Sequence, residues 1–151
     1  MEFTRKFNFK PFGYNVHITL TDDLHKAANR LSKKYDCHNP TTAYTAGFSV
    51  RVGREPTSIL TLPVEQCGPV IAHESFHIVW HLMDWIGAEH EEEVMAYCLD
   101  TVVGWVEHVY EALEKSLEKD LDKGEKVEYN KEDDRNSGRE VVTNNEPPLQ
   151  G

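Results

Sequence analysis

The segment from Val70 to Ile86 constrains the fold most, because it has helical spacing and is apolar on most sides. One apolar stripe consists of Ala72, Phe76, Val79, Met83 and Ile86. Other faces of the same helix present Ile78, Trp80 and Leu82. A helix that is hydrophobic on most sides is usually buried. We therefore predict a buried helix that ends at Gly87, where glycine favours a helix stop.

A second long helix is predicted to begin in the acidic run Glu89–Glu93, because carboxylates stabilise a helix N-terminus. Its predicted core stripe is Ala96, Leu99, Val102, Val103, Val106, Tyr110, Leu113 and Leu117. After about Asp122 the sequence becomes charged and Asn-rich, contains Pro147-Pro148 and has few apolar residues. Such composition is typical of disorder. We expect a folded domain over residues 1–121 and a disordered polar tail over residues 122–151.

The first half of the chain predicts short strands and one helix. Residues 3–20 alternate around a turn at Pro11-Phe12-Gly13, and residues 42–52 and 57–62 form a second predicted hairpin. Between them, a capped helix is expected from about Leu24 to Tyr35. The sequence therefore predicts an α+β fold, with a small, mostly antiparallel sheet packed on about three helices.

Composition limits the partners and the compartment. The formal net charge is -10, and such a surface repels phosphate backbones and anionic lipids, so we expect neither nucleic acid nor membrane as a partner. There is no apolar run long enough to span a bilayer and no signal-peptide stretch at the N-terminus, so we expect a cytoplasmic protein. Three separated cysteines, Cys37, Cys67 and Cys98, favour neither a disulfide framework nor a cysteine zinc site.

The candidate chemistry lies in the motif His73-Glu74-Ser75-Phe76-His77. Residues four apart on a helix share a face about 6 Å apart along the axis, so both imidazoles can bind one Zn²⁺. Glu74 is rotated away from the two proposed ligands and suits the role of a general base that takes a proton from water. The residues around the motif are uncharged, unlike those of an ordinary surface helix.

A zinc site of this kind needs a third protein ligand. His81 lies about 12 Å from His73 along the helix, too far to bind one metal ion together with both histidines. It is expected either to contact one of the metal-binding residues or to lie in the cleft. The acidic run at 89–93 is the remaining source. Glu93 shares a face with Ala96, Tyr97 and Asp100, whereas Glu92 lies closer to the centre of the core stripe.

The motif His73-Glu74-x-x-His77, followed by Gly87 and Glu93-x-x-Ala96-Tyr97, resembles the gluzincin family of zinc metallopeptidases. It resembles more closely the minimal metallopeptidase-like proteins encoded by tailed bacteriophages, over about residues 15–105. The resemblance implies a zincin arrangement, a zinc cofactor, a peptide or protein substrate and the host cytoplasm as location. It also implies Glu93, rather than Glu92, as third ligand, and a cleft lined by the strand 59–62.

Two other interpretations remain open. Larger gluzincins stabilise the oxyanion from a separate subdomain that this chain is too short to contain, and Tyr97, His90 and His108 are the candidates to replace it. The chain could instead be a non-catalytic metal-binding or host-protein-binding phage accessory protein. It could also be a helical core without a metal. An open coordination position beside a cleft would favour the hydrolase.

Overall fold

The structure is a computed structural model that describes residues 1–36, 38–42, 45–88 and 91–136. Four strands and three α-helices follow one another as β1 (Glu2–Phe9), β2 (Tyr14–Thr21), α1 (Leu24–Tyr35), β3 (Phe48–Arg51), β4 (Thr57–Pro63), α2 (Gly68–Ile86) and α3 (Glu92–Asn136). The predicted α+β class is confirmed, and the predicted helix starts lie close to the observed ones. The strand predicted over residues 42–52 is shorter, at Phe48–Arg51, and residues 43–44 lie outside the described residues.

The strands form one mixed sheet in the order β1-β2-β4-β3. β1 and β2 form an antiparallel hairpin, and β3 and β4 form another. The two hairpins meet at the central pair, where β2 runs parallel to β4 and Ile18 lies opposite Leu60. Two of the three pairings are therefore antiparallel, as expected, while the central one is parallel.

Local signals define α1. The Asp23 side chain accepts a hydrogen bond from the Lys26 backbone N–H at 2.9 Å and so caps the helix. The helix ends at Asp36, which takes a left-handed conformation with φ of 48°. Its buried face packs against the β3–β4 hairpin in a small core of Ala27, Ala28, Leu31, Phe48, Val52 and Ile59.

The larger core joins the other face of the sheet to α2 and α3. β2 and β4 contribute Tyr14, Val16, Ile18, Leu20, Leu60 and Leu62. The two helices contribute Ile71, Ile78, Val79, Leu82, Met83, Cys98, Val102, Val106, Val109, Tyr110 and Leu113. The predicted stripe of α3 is therefore partly wrong, because Ala96 is exposed and Val109 is buried in the core.

The prediction that α2 is buried on most sides is also wrong. Phe76 and Trp80 are each 43% exposed, and Ala72 is exposed as well. The residues that face the core lie on one side only, which leaves an apolar strip of the helix open to solvent. None of the helices in the described part of the chain is long and apolar enough to cross a membrane.

The chain divides into two compact units, Met1–Glu114 and Lys115–Gly151. α3 continues past its expected end near Asp122 to Asn136. Residues 137–151 lie outside the described residues, so disorder in that part of the tail stays a prediction.

Candidate metal site

The candidate site depends on α2, which carries the motif residues. Pro69 occupies the first turn, where its missing N–H costs nothing, and Gly87 ends the helix with a positive φ of 63°. Between these signals, His73, His77 and His81 follow one another at intervals of one helical turn on the same face. The local sequence thus sets the spacing of the three rings.

The three histidines line a cavity of about 690 Å³. One wall is α2, with Pro69, Val70, His73, Glu74, His77 and His81. The facing wall is the segment that leads into β3, with Pro40, Thr42, Thr45, Ala46, Gly47, Phe48 and Ser49. The structure therefore brings His73, Glu74 and His77 together at the edge of a cleft.

The geometry of the two imidazoles is compatible with a shared metal ion. Nε2 of His73 lies 3.2 Å from Nε2 of His77, within hydrogen-bond distance, and the ring centroids are 4.8 Å apart. Two nitrogens at 2.0–2.1 Å from a tetrahedral zinc would lie about 3.3 Å apart. Both rings are exposed, so a cation can reach them from solvent. The separation therefore suits a hydrogen bond between the rings in the metal-free protein, and it is close to the spacing of two ligands on one zinc ion.

Glu74 is buried, with 8% of its surface exposed, although it belongs to the same turn. Its Oε1 lies 4.0 Å from Nε2 of His73. A carboxylate at this distance is close enough to act on a small molecule held by the imidazoles, and too far to bond the same nitrogen directly. The role of Glu74 as a general base stays a prediction.

Gly47 makes room for Glu74, and the sequence analysis did not single it out. A Cβ atom at Gly47 would lie 3.3 Å from Cγ of Glu74 and 2.8 Å from Cγ1 of Val70. The second distance is shorter than carbon atoms tolerate without a shift. A larger residue at this position would therefore require Val70 to shift, so glycine lets the chain leading into β3 pass close to α2 without strain.

His81 lies in the cleft, which was one of the two positions predicted for it. Its Nδ1 is 3.1 Å from Oγ of Ser58, and that hydroxyl is 2.6 Å from the hydroxyl of Tyr14. Burial lowers the pKa of His81; electrostatic interactions with His77 and Arg51 act in the same direction, and that with Asp84 opposes them. The surroundings of the ring therefore favour its neutral form.

Glu93 does not lie in the cavity wall, to which α3 contributes no residue within the described chain. It is exposed on the first turn of α3. Ala96 and Asp100, which share its face, are also exposed, and Tyr97 is 76% exposed. The face that was expected at the edge of the core is the solvent face.

Among the described residues, no group of three His, Cys, Asp or Glu side chains is placed to hold a metal ion. Glu92 is exposed like its neighbour, and Glu89 and His90 lie outside the described residues. The identity of the third ligand, Glu93 or Glu92, therefore stays a prediction.

Of the candidates for oxyanion stabilisation, Tyr97 and His108 are not among the residues that line the cavity. The ring of His108 instead packs edge-on against Phe7, at 6.4 Å between centroids, on the β1 side of the fold. His90 lies outside the described residues.

The expectation that residues 59–62 form the strand beside the cleft is wrong. These residues belong to β4, which has β2 on one side and β3 on the other. β4 thus has no free edge for an added peptide. Among the described strands, β1 and β3 are the two edge strands, and the edge strand beside the cavity is β3, whose residues Phe48 and Ser49 line it.

The described site therefore consists of two imidazoles at metal-binding spacing, one buried carboxylate and a third imidazole fixed by Ser58. In comparisons with protein-family models, with curated proteins and with solved structures, nothing matches this chain.

Proposed function

We propose that the chain is a zinc-dependent hydrolase, a metallopeptidase that cleaves a peptide or similar amide bond. The observation that supports the proposal most strongly is the 3.2 Å separation of the two Nε2 atoms of His73 and His77. A phage origin, with the host cytoplasm as location, belongs to the same proposal and rests on the sequence resemblance alone.

Zinc, when bound, acts as a Lewis acid that polarises a carbonyl group and lowers the pKa of water toward 7. His73 and His77 are the residues that would hold the cation. Glu74 accepts a proton from the attacking water on a carboxylate oxygen and then returns it to the leaving amine. Because Glu74 is buried, its carboxylate is held in place by the packing around it.

The free edge of β3 is a place where a peptide substrate can bind in extended form. An extended peptide can add to an exposed strand through backbone hydrogen bonds. β3 leads directly from the cavity wall at Phe48 and Ser49, so a peptide paired with it passes the two histidines. This arrangement favours an unfolded or extended segment as substrate over a folded surface.

The first experiment measures bound metal. We expect about one zinc per chain by elemental analysis of protein dialysed against a trace of zinc. His73→Ala and His77→Ala should each lose most of it, because the remaining imidazole alone binds zinc weakly. His25→Ala is the matched control, since His25 is an exposed histidine on α1. Full zinc retention in both site variants would contradict the proposed metal site.

The same measurement decides the third ligand. Glu93→Gln should weaken zinc binding at least ten-fold if Glu93 completes the site, while Glu92→Gln leaves the affinity unchanged. The reverse result assigns the ligand to Glu92.

The second experiment separates metal binding from catalysis. Glu74→Gln should keep the zinc and reduce cleavage of a peptide mixture by about 10²–10⁴-fold, the usual effect of losing a general base. Cleavage is followed by mass spectrometry, with Glu107→Gln as a control for an exposed carboxylate. If Glu74→Gln cleaves a peptide as fast as the unaltered protein, the role given to Glu74 is wrong.

A second candidate function is a non-catalytic phage accessory protein that binds a host protein. The exposed rings of Phe76 and Trp80 favour it, because they lie 6.1 Å apart on a helix surface beside the histidines. Exposed aromatic clusters often mark protein-binding sites. Zinc binding without any Glu74-dependent cleavage would support this candidate over the hydrolase.

A further inference from the structure

A chain of three hydrogen-bonding groups runs from the sheet to the cavity. The hydroxyl of Tyr14 on β2 lies 2.6 Å from Oγ of Ser58 on β4, and Oγ lies 3.1 Å from Nδ1 of His81 on α2. Tyr14 and Ser58 are fully buried, whereas His81 is partly exposed and lines the cavity. The chain therefore connects the interior to the cleft through one histidine ring.

The direction of the protons along this chain can be derived. Ser58 is the only hydrogen-bond partner of the Tyr14 hydroxyl within the described residues, so that hydroxyl must donate to Ser58 if its buried proton is to be satisfied. A phenol is also a better donor than an aliphatic hydroxyl. Ser58 has one proton, and within the described residues its remaining side-chain partner is Nδ1 of His81. This direction makes Nδ1 of His81 the acceptor.

A neutral imidazole with an acceptor at Nδ1 has its proton on Nε2. Nε2 is the ring nitrogen left for the cavity, since Nδ1 is bound to Ser58. A protonated Nε2 has no lone pair for a cation. His81 thus differs from His73 and His77, whose Nε2 atoms face each other at 3.2 Å.

We propose that His81 is a substrate-binding residue whose Nε2–H donates to a peptide carbonyl oxygen in the cleft, and that Ser58 and Tyr14 are the residues that position it. The inference rests on the proposed function for its ligand. His81 lies about 6 Å beyond His77 along the helix, and an extended chain advances about 3.3–3.6 Å per residue. The oxygen it binds belongs to a peptide group one or two residues from the cleaved bond.

The pKa directions agree with this assignment. Burial lowers the pKa of His81, which favours the neutral ring. Burial also raises the pKa of Tyr14, although its hydrogen bond to Ser58 opposes this, and so the phenol keeps the proton that it donates.

The tautomer can be measured without metal or substrate. In zinc-free protein with ¹⁵N-labelled histidine, two-dimensional NMR should show that His81 has a proton on Nε2 and none on Nδ1. Ser58→Ala should convert this pure state into a mixture of tautomers, while exposed His25 stays unchanged as an internal control. A proton on Nδ1 of His81 in the unaltered protein would overturn the inference.

The ligand is tested with two hydroxamates on the zinc-loaded protein. Acetohydroxamate can bind zinc, and N-acetylglycine hydroxamate adds one peptide group. We expect the added group to tighten binding by about three- to ten-fold, the effect of one hydrogen bond, as measured by calorimetry. His81→Phe should abolish this gain without weakening acetohydroxamate, and His81→Gln, which again offers an N–H, should restore part of it.

If the added peptide group increases the affinity equally in the unaltered protein and in His81→Phe, the role of His81 is refuted while the metal site is not. If neither hydroxamate binds any variant and no zinc is retained, the proposed function itself fails, and the peptide ligand proposed for His81 fails with it. The NMR experiment then still decides the tautomer.

Discussion

Gly47 shows how a single residue can control the site without touching a ligand. Its missing Cβ leaves space for Val70 and Glu74, which approach the position to 2.8 and 3.3 Å. We expect Gly47→Ala to destabilise the fold by about 1–3 kcal/mol, the usual result of overpacking. Chemical denaturation measures the change.

Gly68→Ala is the matched control, because nothing lies within 4 Å of a Cβ there and the residue is at the start of a helix. It should leave stability unchanged or slightly higher. Equal stability of the two variants would mean that the approach of the β3 segment to α2 is looser than the distances indicate.

His17 gives the fold a dependence on pH that is separate from the candidate site. Burial lowers its pKa, and the charges of Lys6, opposite it on β1, and Lys34 on α1 act in the same direction. Below about pH 6.5, the pKa of His17 in the unfolded chain, His17 binds a proton more readily in the unfolded chain than in the folded chain. Stability is therefore lost as the pH falls through that value, and is unaffected above it.

We expect the urea midpoint of the unaltered protein to fall more between pH 8 and pH 5.5 than that of His17→Gln, which has no such proton to bind. The comparison cancels the contributions of the other histidines. If both proteins lose stability equally over this range, the surroundings of His17 do not oppose its protonation.

At the scale of the elements, the features that local sequence dictates were predictable. The helical period and Gly87 define α2, and Gly87 takes the positive φ that glycine favours. The i, i+4 spacing of His73 and His77 likewise needs only a continuous helix, and it produces the observed pair. Hairpins are also local, because each joins neighbouring segments through a short turn.

Features that depend on packing between distant segments were not predictable. Sequence could not show that β4 lies between β2 and β3, since a parallel pairing joins strands separated by a helix and a further strand. Nor could it show that Glu93 faces solvent, because the apolar stripe of α3 allows more than one rotation. The Ser58–His81 contact spans 23 residues and has no sequence pattern at all.

At the scale of the molecule, charge and site chemistry act together. The chain has 26 acidic and 16 basic residues, so its overall field attracts cations. The cavity wall within the described residues nevertheless presents three histidines and one carboxylate. In the proposed function, long-range attraction would bring a divalent cation near, and imidazole nitrogens would select a metal such as zinc over calcium or magnesium, which prefer oxygen ligands.

The length of chain that the folded domain needs can be tested by truncation. Every residue of the main core lies at or before Leu113, within the compact unit Met1–Glu114. A chain shortened to end at Leu121 should therefore match the full chain within about 0.5 kcal/mol in its free energy of unfolding, and it should bind the same amount of zinc. Circular dichroism during urea unfolding measures the first quantity, and elemental analysis the second.

A chain that ends at His108 is the contrasting variant, because we expect it to unfold. That variant lacks Val109, Tyr110 and Leu113, and with Tyr110 it loses the hydrogen bond that the phenol donates to the Pro63 carbonyl at 2.7 Å. Loss of three core side chains should cost more than about 4 kcal/mol, enough to unfold many domains of this size. If the chain ending at Leu121 also unfolds, residues beyond 121 contribute to the folded domain, and the boundary expected from the sequence is wrong.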